Sequence, residues 1–242
     1  MHGALHRLKH LLREWLPPSW QLRLQSWIPR RLDKGRGAYV HPSAQILGMA
    51  NVSIGSHSCI SEHTWLNVNH RNKGSVGIRI GDNCFIGRRN FFSSGKCIEL
   101  GSYTLTSVDC RFIGSSHVSD DPLVPGIAAG TTADATIRVG ANCFFGAAAM
   151  VVGNVEVGHG SVIGAGSIVT KDVPPFSTVV GNPARVLRRY SFSRRVWIDA
   201  DKLGQGDLDA NPDEAAYLGL LVAGFPAIAM PLVAAGSDRG NL

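Results

Sequence analysis

Val139, Phe145, Val151, Val157, Ile163 and Val169 stand at every sixth position, and the residue four places after each of the first five, Cys143, Ala149, Val155, Ser161 and Ser167, is small. A helix spaces its apolar residues by 3.6 and a half-buried strand by two, so an unbroken spacing of six is neither. It requires a solenoid in which each turn repeats the last. The beat recurs upstream as Ile54, Ile60 and Leu66, as Ile80, Ile86 and Phe92, and as Leu100, Thr106 and Phe112. Three hexads make a turn of about eighteen residues with three flat sides. The spacing therefore predicts an all-β triangular prism whose short parallel strands stack about 4.8 Å apart, with the ladder residues filling it. Small residues directly after the ladder, as in Ile54-Gly55, Ile80-Gly81, Val139-Gly140 and Ile163-Gly164, mark corners that need positive φ or close backbone approach.

The chain has 242 residues, ample for one main domain with added terminal material. Cys84, Cys110 and Cys143 occupy the small inward slot, so the five cysteines read as reduced packing residues, and the expected compartment is the cytoplasm. No C-x-x-C pair or zinc-finger spacing appears, and neither a metal nor a nucleic-acid partner is expected. The formal charge of +6 is concentrated at Arg185, Arg188, Arg189, Arg194 and Arg195, just past the ladder. Such a cluster suits a phosphorylated ligand, or is simply a solvated basic face.

Four regions follow. Residues 1–37 form a basic, Trp-rich leader with Leu5, Leu8, Leu12 and Trp15 at helical spacing. It is either a cap on the open prism or an amphipathic segment for the inner, anionic face of a membrane. Charges at Arg7, Lys9, Arg13 and Glu14 interrupt every candidate signal-peptide core. Residues 38–174 are the prism. The beat lapses over 118–136, whose Asp120-Asp121-Pro122 and Pro125-Gly126 suit an external loop, and more briefly over Asn72 to Arg79. Residues 175–190 form a distinct ending, and 191–242 a tail, irregular or helical, without a ladder. In that tail Ala215 to Ala235 carry no charge, long enough to span a bilayer if helical, although Gly219, Gly224, Pro226 and Pro231 argue against a stable span.

Three pieces of sequence carry a resemblance: Ser116-His117 ahead of the loop, Ile163-Gly164-Ala165-Gly166-Ser167-Ile168-Val169-Thr170-Lys171-Asp172-Val173-Pro174, and Gly181-Asn182-Pro183-Ala184-Arg185-Val186-Leu187-Arg188. From Val40 to Arg188, about sixty percent of the chain, the sequence resembles the hexapeptide-repeat acyltransferases, nearest to the galactoside, maltose and polysaccharide O-acetyltransferases. The resemblance implies a left-handed parallel β-helix, a handedness that general crossover rules would not supply. It also implies a homotrimer with acetyl-CoA bound in a groove between subunits, a sugar or polysaccharide-precursor acceptor, and His117 as general base. The positions matching the family's CoA contacts are Ala147, Ala165, Thr170, Lys171, Arg185 and Arg188. A Trp common in this subgroup is Phe144 here. A family Asn that meets the acceptor falls at Gly87, with Arg88, Arg89 and Asn90 as neighbouring candidates.

The chemistry is coherent without the family. A sugar hydroxyl is a poor nucleophile, and an imidazole is the side chain suited to take its proton near neutral pH. Three alternatives stay open at this point: an N-acetyltransferase of an amino sugar, a non-catalytic scaffold, and a zinc carbonic anhydrase. The last needs three converging histidines, whereas His57 and His63 fall on successive sides of the triangle.

Overall fold

Every ladder residue of the longest hexad run is buried, at 0–2% exposure from Val139 to Val169. Those side chains line the inside of three sheets. A computed structural model describes residues 32–226 together with Ile228 and Met230; of the leader expected over residues 1–37, residues 1–31 lie outside them.

Wall A stacks β1 (Asp33–Lys34), β4 (Val52–Ile54), β7 (Ile78–Ile80), β10 (Cys97–Leu100), β13 (Thr136–Val139) and β16 (Val155–Val157). Wall B stacks β2 (Tyr39–Val40), β5 (Cys59–Ile60), β8 (Phe85–Ile86), β11 (Leu105–Thr106), β14 (Phe144–Phe145), β17 (Val162–Ile163) and β19 (Ser177–Gly181). Wall C stacks β3 (Gln45–Leu47), β6 (Trp65–Val68), β9 (Phe91–Ser94), β12 (Arg111–Ile113), β15 (Met150–Val152) and β18 (Ile168–Val169). All pairings among these strands are parallel, and the register aligns ladder on ladder, as in Phe92↔Phe112↔Val151↔Val169. The first strand starts at Asp33, inside the stretch assigned above to the leader, and β19 carries wall B into the segment read as a separate ending.

The one polar residue in the ladder keeps its place by being satisfied. Thr106, fully buried, accepts from Gly87 N (3.0 Å) and Asn90 Nδ2 (3.0 Å) through its hydroxyl. Asn90 is itself buried and also donates to the carbonyls of Gly87 and Ser107. It is a core bracket, which removes it from the acceptor candidates.

The corners divide their two demands between two positions. Glycine directly after the ladder meets the next turn: a Cβ on Gly81 would sit 2.5 Å from Ser102 N, and one on Gly140 2.6 Å from His159 N. Positive φ falls two residues later, at His57, His63, Asn83, Arg89, Tyr103, Asp109, Asn142 and Ala148, then at Gly160 and Gly166. Close approach is thus the reason for the first glycine, and left-handed backbone is borne mostly by residues with side chains.

Past the prism, β20 (Ala184–Ser191) folds back antiparallel on β19 and β21 (Val196–Asp199) on β20. The chain then returns to the corner between walls A and B as a helix, α1 (Glu214–Gly224), capped by the Asp213 carboxylate accepting from Ala216 N at 2.8 Å. Three side chains dock it. Glu214 accepts from Arg138 (2.7 Å) and from Ala141 N (2.9 Å), Tyr217 is hydrogen-bonded to Asn142, and the buried His159 ring packs edge-on to Phe176 and tilted to Tyr217. No helix among the described residues is long and apolar enough to cross a membrane; α1 ends at Gly224, ahead of Phe225 and Pro226.

Burial alone would raise the Glu214 carboxyl, but the Arg138 guanidinium and the Ala141 N–H outweigh it and hold the group below the ordinary glutamate value. A depressed carboxyl stabilises the fold above its unfolded value and loses that contribution as pH falls through the folded one. Protection of the α1 amides, their exchange relative to an unstructured peptide at the same pH, should therefore be high at pH 7 and fall below about pH 4. Glu214→Gln should exchange faster at pH 7 and lose the acid response. Equal protection at both pH values in the parent protein would show that the ion pair does not hold the helix.

Candidate active site

All the long excursions leave from one edge, the corner where wall C hands over to wall A. The chain leaves after Val68 and returns at Ile78, and leaves after Ile113 and returns at Thr136. His117 lies at the stem of the larger loop, exposed, in an antiparallel bridge with Thr131. The stem is closed by Thr132 N donating to Ser116 O (2.8 Å), Ser116 N to Thr132 Oγ1 (3.0 Å), Ser115 Oγ to Thr132 O (2.9 Å) and Val118 N to Gly130 O (3.1 Å). Beyond the stem, Leu123 and Ile127 are about nine-tenths exposed. Among the described residues no hydrogen bond reaches the His117 ring. Asp109 is committed to Arg89, through Nε–Oδ1 at 2.8 Å and Nη2–Oδ2 at 2.7 Å, and Asp121 accepts from Leu123 N.

The residues matched to CoA contacts fall in three places. Ala147 and Ala165 are neighbours in successive turns of the B–C corner, where Gly166 N donates to Ala147 O at 2.8 Å. In the lower turns that corner is charged, with Glu62 paired to Arg88 (3.1 Å) and Arg89 to Asp109. In the upper turns it shrinks to Ala147, Ala148, Ala165 and Gly166, and a Cβ on Gly166 would meet nothing within 4 Å. The upper part of this corner is therefore small-sided and exposed. Thr170 and Lys171 sit across wall C, on the edge that carries His117, because Ile113 pairs with Val152 and Val169 ends β18 beside Val151. Two strand spacings separate them from the His117 turn, about 10 Å. Arg185 and Arg188 are exposed on β20, the latter with its guanidinium 5.9 Å from the Trp197 ring. A single chain thus brings Thr170–Lys171 to the histidine's edge and leaves Ala147 and Ala165 on the opposite edge of wall C. Arg88 and Arg89, raised above as acceptor contacts, are engaged in ion pairs.

Cys84 and Cys143 are fully buried, and burial pushes both thiols up to about 12, so neither supplies a thiolate nucleophile near neutral pH. Five free thiols are present. His57 and His63 stand at successive corners of one turn, and no group of three His, Cys, Asp or Glu among the described residues is placed to hold a metal.

The outer faces of the walls differ in character. Wall A presents a charged ladder, Asp33, Ser53, Arg79, Glu99, Arg138 and Glu156, cross-linked at Arg79–Glu99 (3.6 Å) and Arg138–Glu156 (3.1 Å). Wall B presents Tyr39, Phe85, Leu105, Phe144 and Val162 in one column, and wall C stacks Trp65 on Phe91 at 5.2 Å. Tyr39, Leu105, Phe144 and Trp65 are 37–42% exposed.

Geometry and repeat define a left-handed parallel β-helix protein wound from hexapeptides. The family model described as the hexapeptide repeat of succinyl-transferase matches residues 77–89 and 136–171. Over 53 residues, 22% of this chain, the sequence is 55% identical to a Staphylococcus aureus protein assigned as an acetyltransferase, of which the match spans 27%. A longer match, 26% identical over 190 residues, joins 76% of this chain to 59% of a Mycobacterium tuberculosis protein assigned as an acetyltransferase. Among solved structures, AntD, an N-acyltransferase from Bacillus cereus crystallised with dTDP and 3-hydroxybutyryl-CoA, shares the fold. Its TM-score is 0.57 at 19% identity, over 70% of this chain and 87% of AntD. The matched stretches make the chain similar to hexapeptide-repeat acetyltransferases, and it spans about a quarter of the length of the Staphylococcus aureus relative.

Proposed function

We propose that this protein is an acetyl-CoA-dependent O-acetyltransferase acting on a hydroxyl of a sugar or polysaccharide precursor, with His117 as general base. The observation that carries the reading is the placement of an exposed histidine at a braced loop stem, on the same prism edge as Thr170 and Lys171. The neutral imidazole takes the acceptor hydroxyl proton as that oxygen attacks the thioester carbonyl. The tetrahedral intermediate then collapses, the C–S bond breaks, and the imidazolium returns the proton to the departing CoA sulfur. Lys171, Arg185 and Arg188 supply cationic donors for the nucleotide phosphates, and Ala147 and Ala165 admit the arm.

The separation of His117 from Ala147 and Ala165 across wall C supports a site completed between copies, in a homotrimer. The apolar outer columns of walls B and C, against the charged ladder of wall A, are the surfaces such an assembly would bury. A cytoplasmic enzyme, meeting the membrane peripherally through its leader, would suit a lipid-linked acceptor.

The same base serves an amine once it is deprotonated, and AntD, whose fold this chain shares, is an N-acyltransferase. Purified protein given acetyl-CoA and a panel of hydroxyl and amino sugars, free and nucleotide-linked, should release CoA thiol with a hydroxyl acceptor. Release with amino sugars alone would select the N-acetyltransferase. No release, together with no saturable CoA heat by calorimetry, would leave a bare scaffold.

A further inference from the structure

The smaller loop contributes a second histidine to the His117 stem. His70 follows β6 and is partly buried, and its Nε2 lies 3.0 Å from Thr132 O and 3.4 Å from Thr131 Oγ1. A carbonyl oxygen can only accept, so Nε2 carries the proton and donates. The bond joins positions 62 residues apart and spans the tight corner between β9 and β10, where the chain runs through Gly95 and Lys96. That corner is compressed to permit it. A Cβ on Gly95 would sit 2.2 Å from Gly114 O and 2.9 Å from Ala135 O, the two necks of the large loop, and Lys96 N donates to Ala135 O at 2.9 Å.

From this geometry we infer that His70 is a positioning residue for the His117 site, setting the histidine's place through the return strand of the loop stem. The stem bonds described above fix Ser115 and Ser116 against Thr132. Thr131, the bridge partner of His117, is held from outside the loop by the His70 contact and the Thr132 carbonyl next to it. Loss of the donor would leave the return strand held by the stem's own bonds alone, so that the stem and residue 117 with it could shift against the prism. A small displacement of a general base from its in-line position is costly, because proton transfer depends on contact-range geometry. The inference rests on reading His117 as the base, and it makes the smaller loop a wall of the acceptor mouth.

Two variants in the full-length protein test it, His70→Ala, which removes the donor, and His70→Gln, whose amide can replace it. His70→Ala should lower kcat about tenfold while leaving KM for acetyl-CoA within about twofold, and His70→Gln should recover most of the loss. The His117 ring signals, followed by NMR of histidine-labelled protein and assigned with His117→Gln, should move in His70→Ala and return in His70→Gln. A purely structural bond would lower the melting temperature and leave those signals in place. Unmoved His117 signals in His70→Ala, or an alanine variant as active as the parent, would overturn the inference. A parent protein that acetylates no acceptor would instead count against the base reading, and the ring signals would still decide whether His70 sets His117.

Discussion

His117→Ala is expected to lose acetyl transfer by at least about a hundredfold while binding CoA within about twofold of the parent affinity. The split follows from the geometry. His117 is exposed at a loop stem whose pairing runs through backbone atoms, so removing the ring leaves the Thr131 bridge and the Thr132 bonds intact. Thr170 and Lys171 lie about two strands away on the same edge, and Arg185 and Arg188 on a different strand, so the groups proposed to meet the phosphates keep their places. What disappears is the proton acceptor for the sugar hydroxyl. His117→Asn preserves much of the ring's volume without its basicity and should be as impaired as alanine. Thiol release from acetyl-CoA, measured with the best acceptor across pH, reads all of these at once. A turnover within a few-fold of the parent would remove the ring from the proton transfer, and a parallel collapse of CoA affinity would make it a binding residue.

The prism was legible because a period of six has no competing explanation, and its signal repeats in every turn. Thr106 held its place in that reading despite being polar, since the beat on either side left no alternative for it. The corner backbone was not legible in the same way. Positive φ falls on His57, Arg89, Tyr103 and Asp109, residues whose identity does not announce it, while the visible glycines serve a different purpose one position after the ladder. The tail was hidden for another reason. Apolar residues surround α1 with no helical stripe, and its docking depends on a few separate contacts, Glu214 to Arg138 and Tyr217 to Asn142 and His159, that no periodicity encodes. His117 was singled out through the motif beside the loop. His70 was missed because it lies in the shorter lapse of the beat, yet the signal was present: that lapse follows Leu66 and the longer one follows Phe112, two residues of the same wall, so both loops had to leave from one corner.

Val157→Asp should abolish the folded state, because each turn of the solenoid stacks on its neighbours. Val157 is fully buried, paired below with Val139 and above with Val173, so its side chain meets a turn on each side. An aspartate there loses the apolar contribution of the valine, roughly 1.5–3 kcal/mol, and either buries a charge or binds a proton to avoid doing so. Of the inward residues around it, Val155 and Ile163 have no donor, and the Cys143 thiol, a weak one, already donates to the Gly158 carbonyl at 3.3 Å. With domain stability at about 5–15 kcal/mol, a cost above about 4 kcal/mol at one turn removes much of it, and turns on both sides lose the surface they stack on. Val157→Thr separates shape from polarity. It keeps the branched volume and adds a hydroxyl, costing about 1–3 kcal/mol if that hydroxyl finds no partner. Thr106 shows the condition under which the same group is tolerated, because Gly87 N and Asn90 Nδ2 both donate to it. The threonine variant should therefore fold with a lowered urea midpoint, whereas the aspartate variant should lack a cooperative transition by circular dichroism. A parental midpoint in the aspartate variant would mean that position 157 does not face the core, and the hexad register would fail with it.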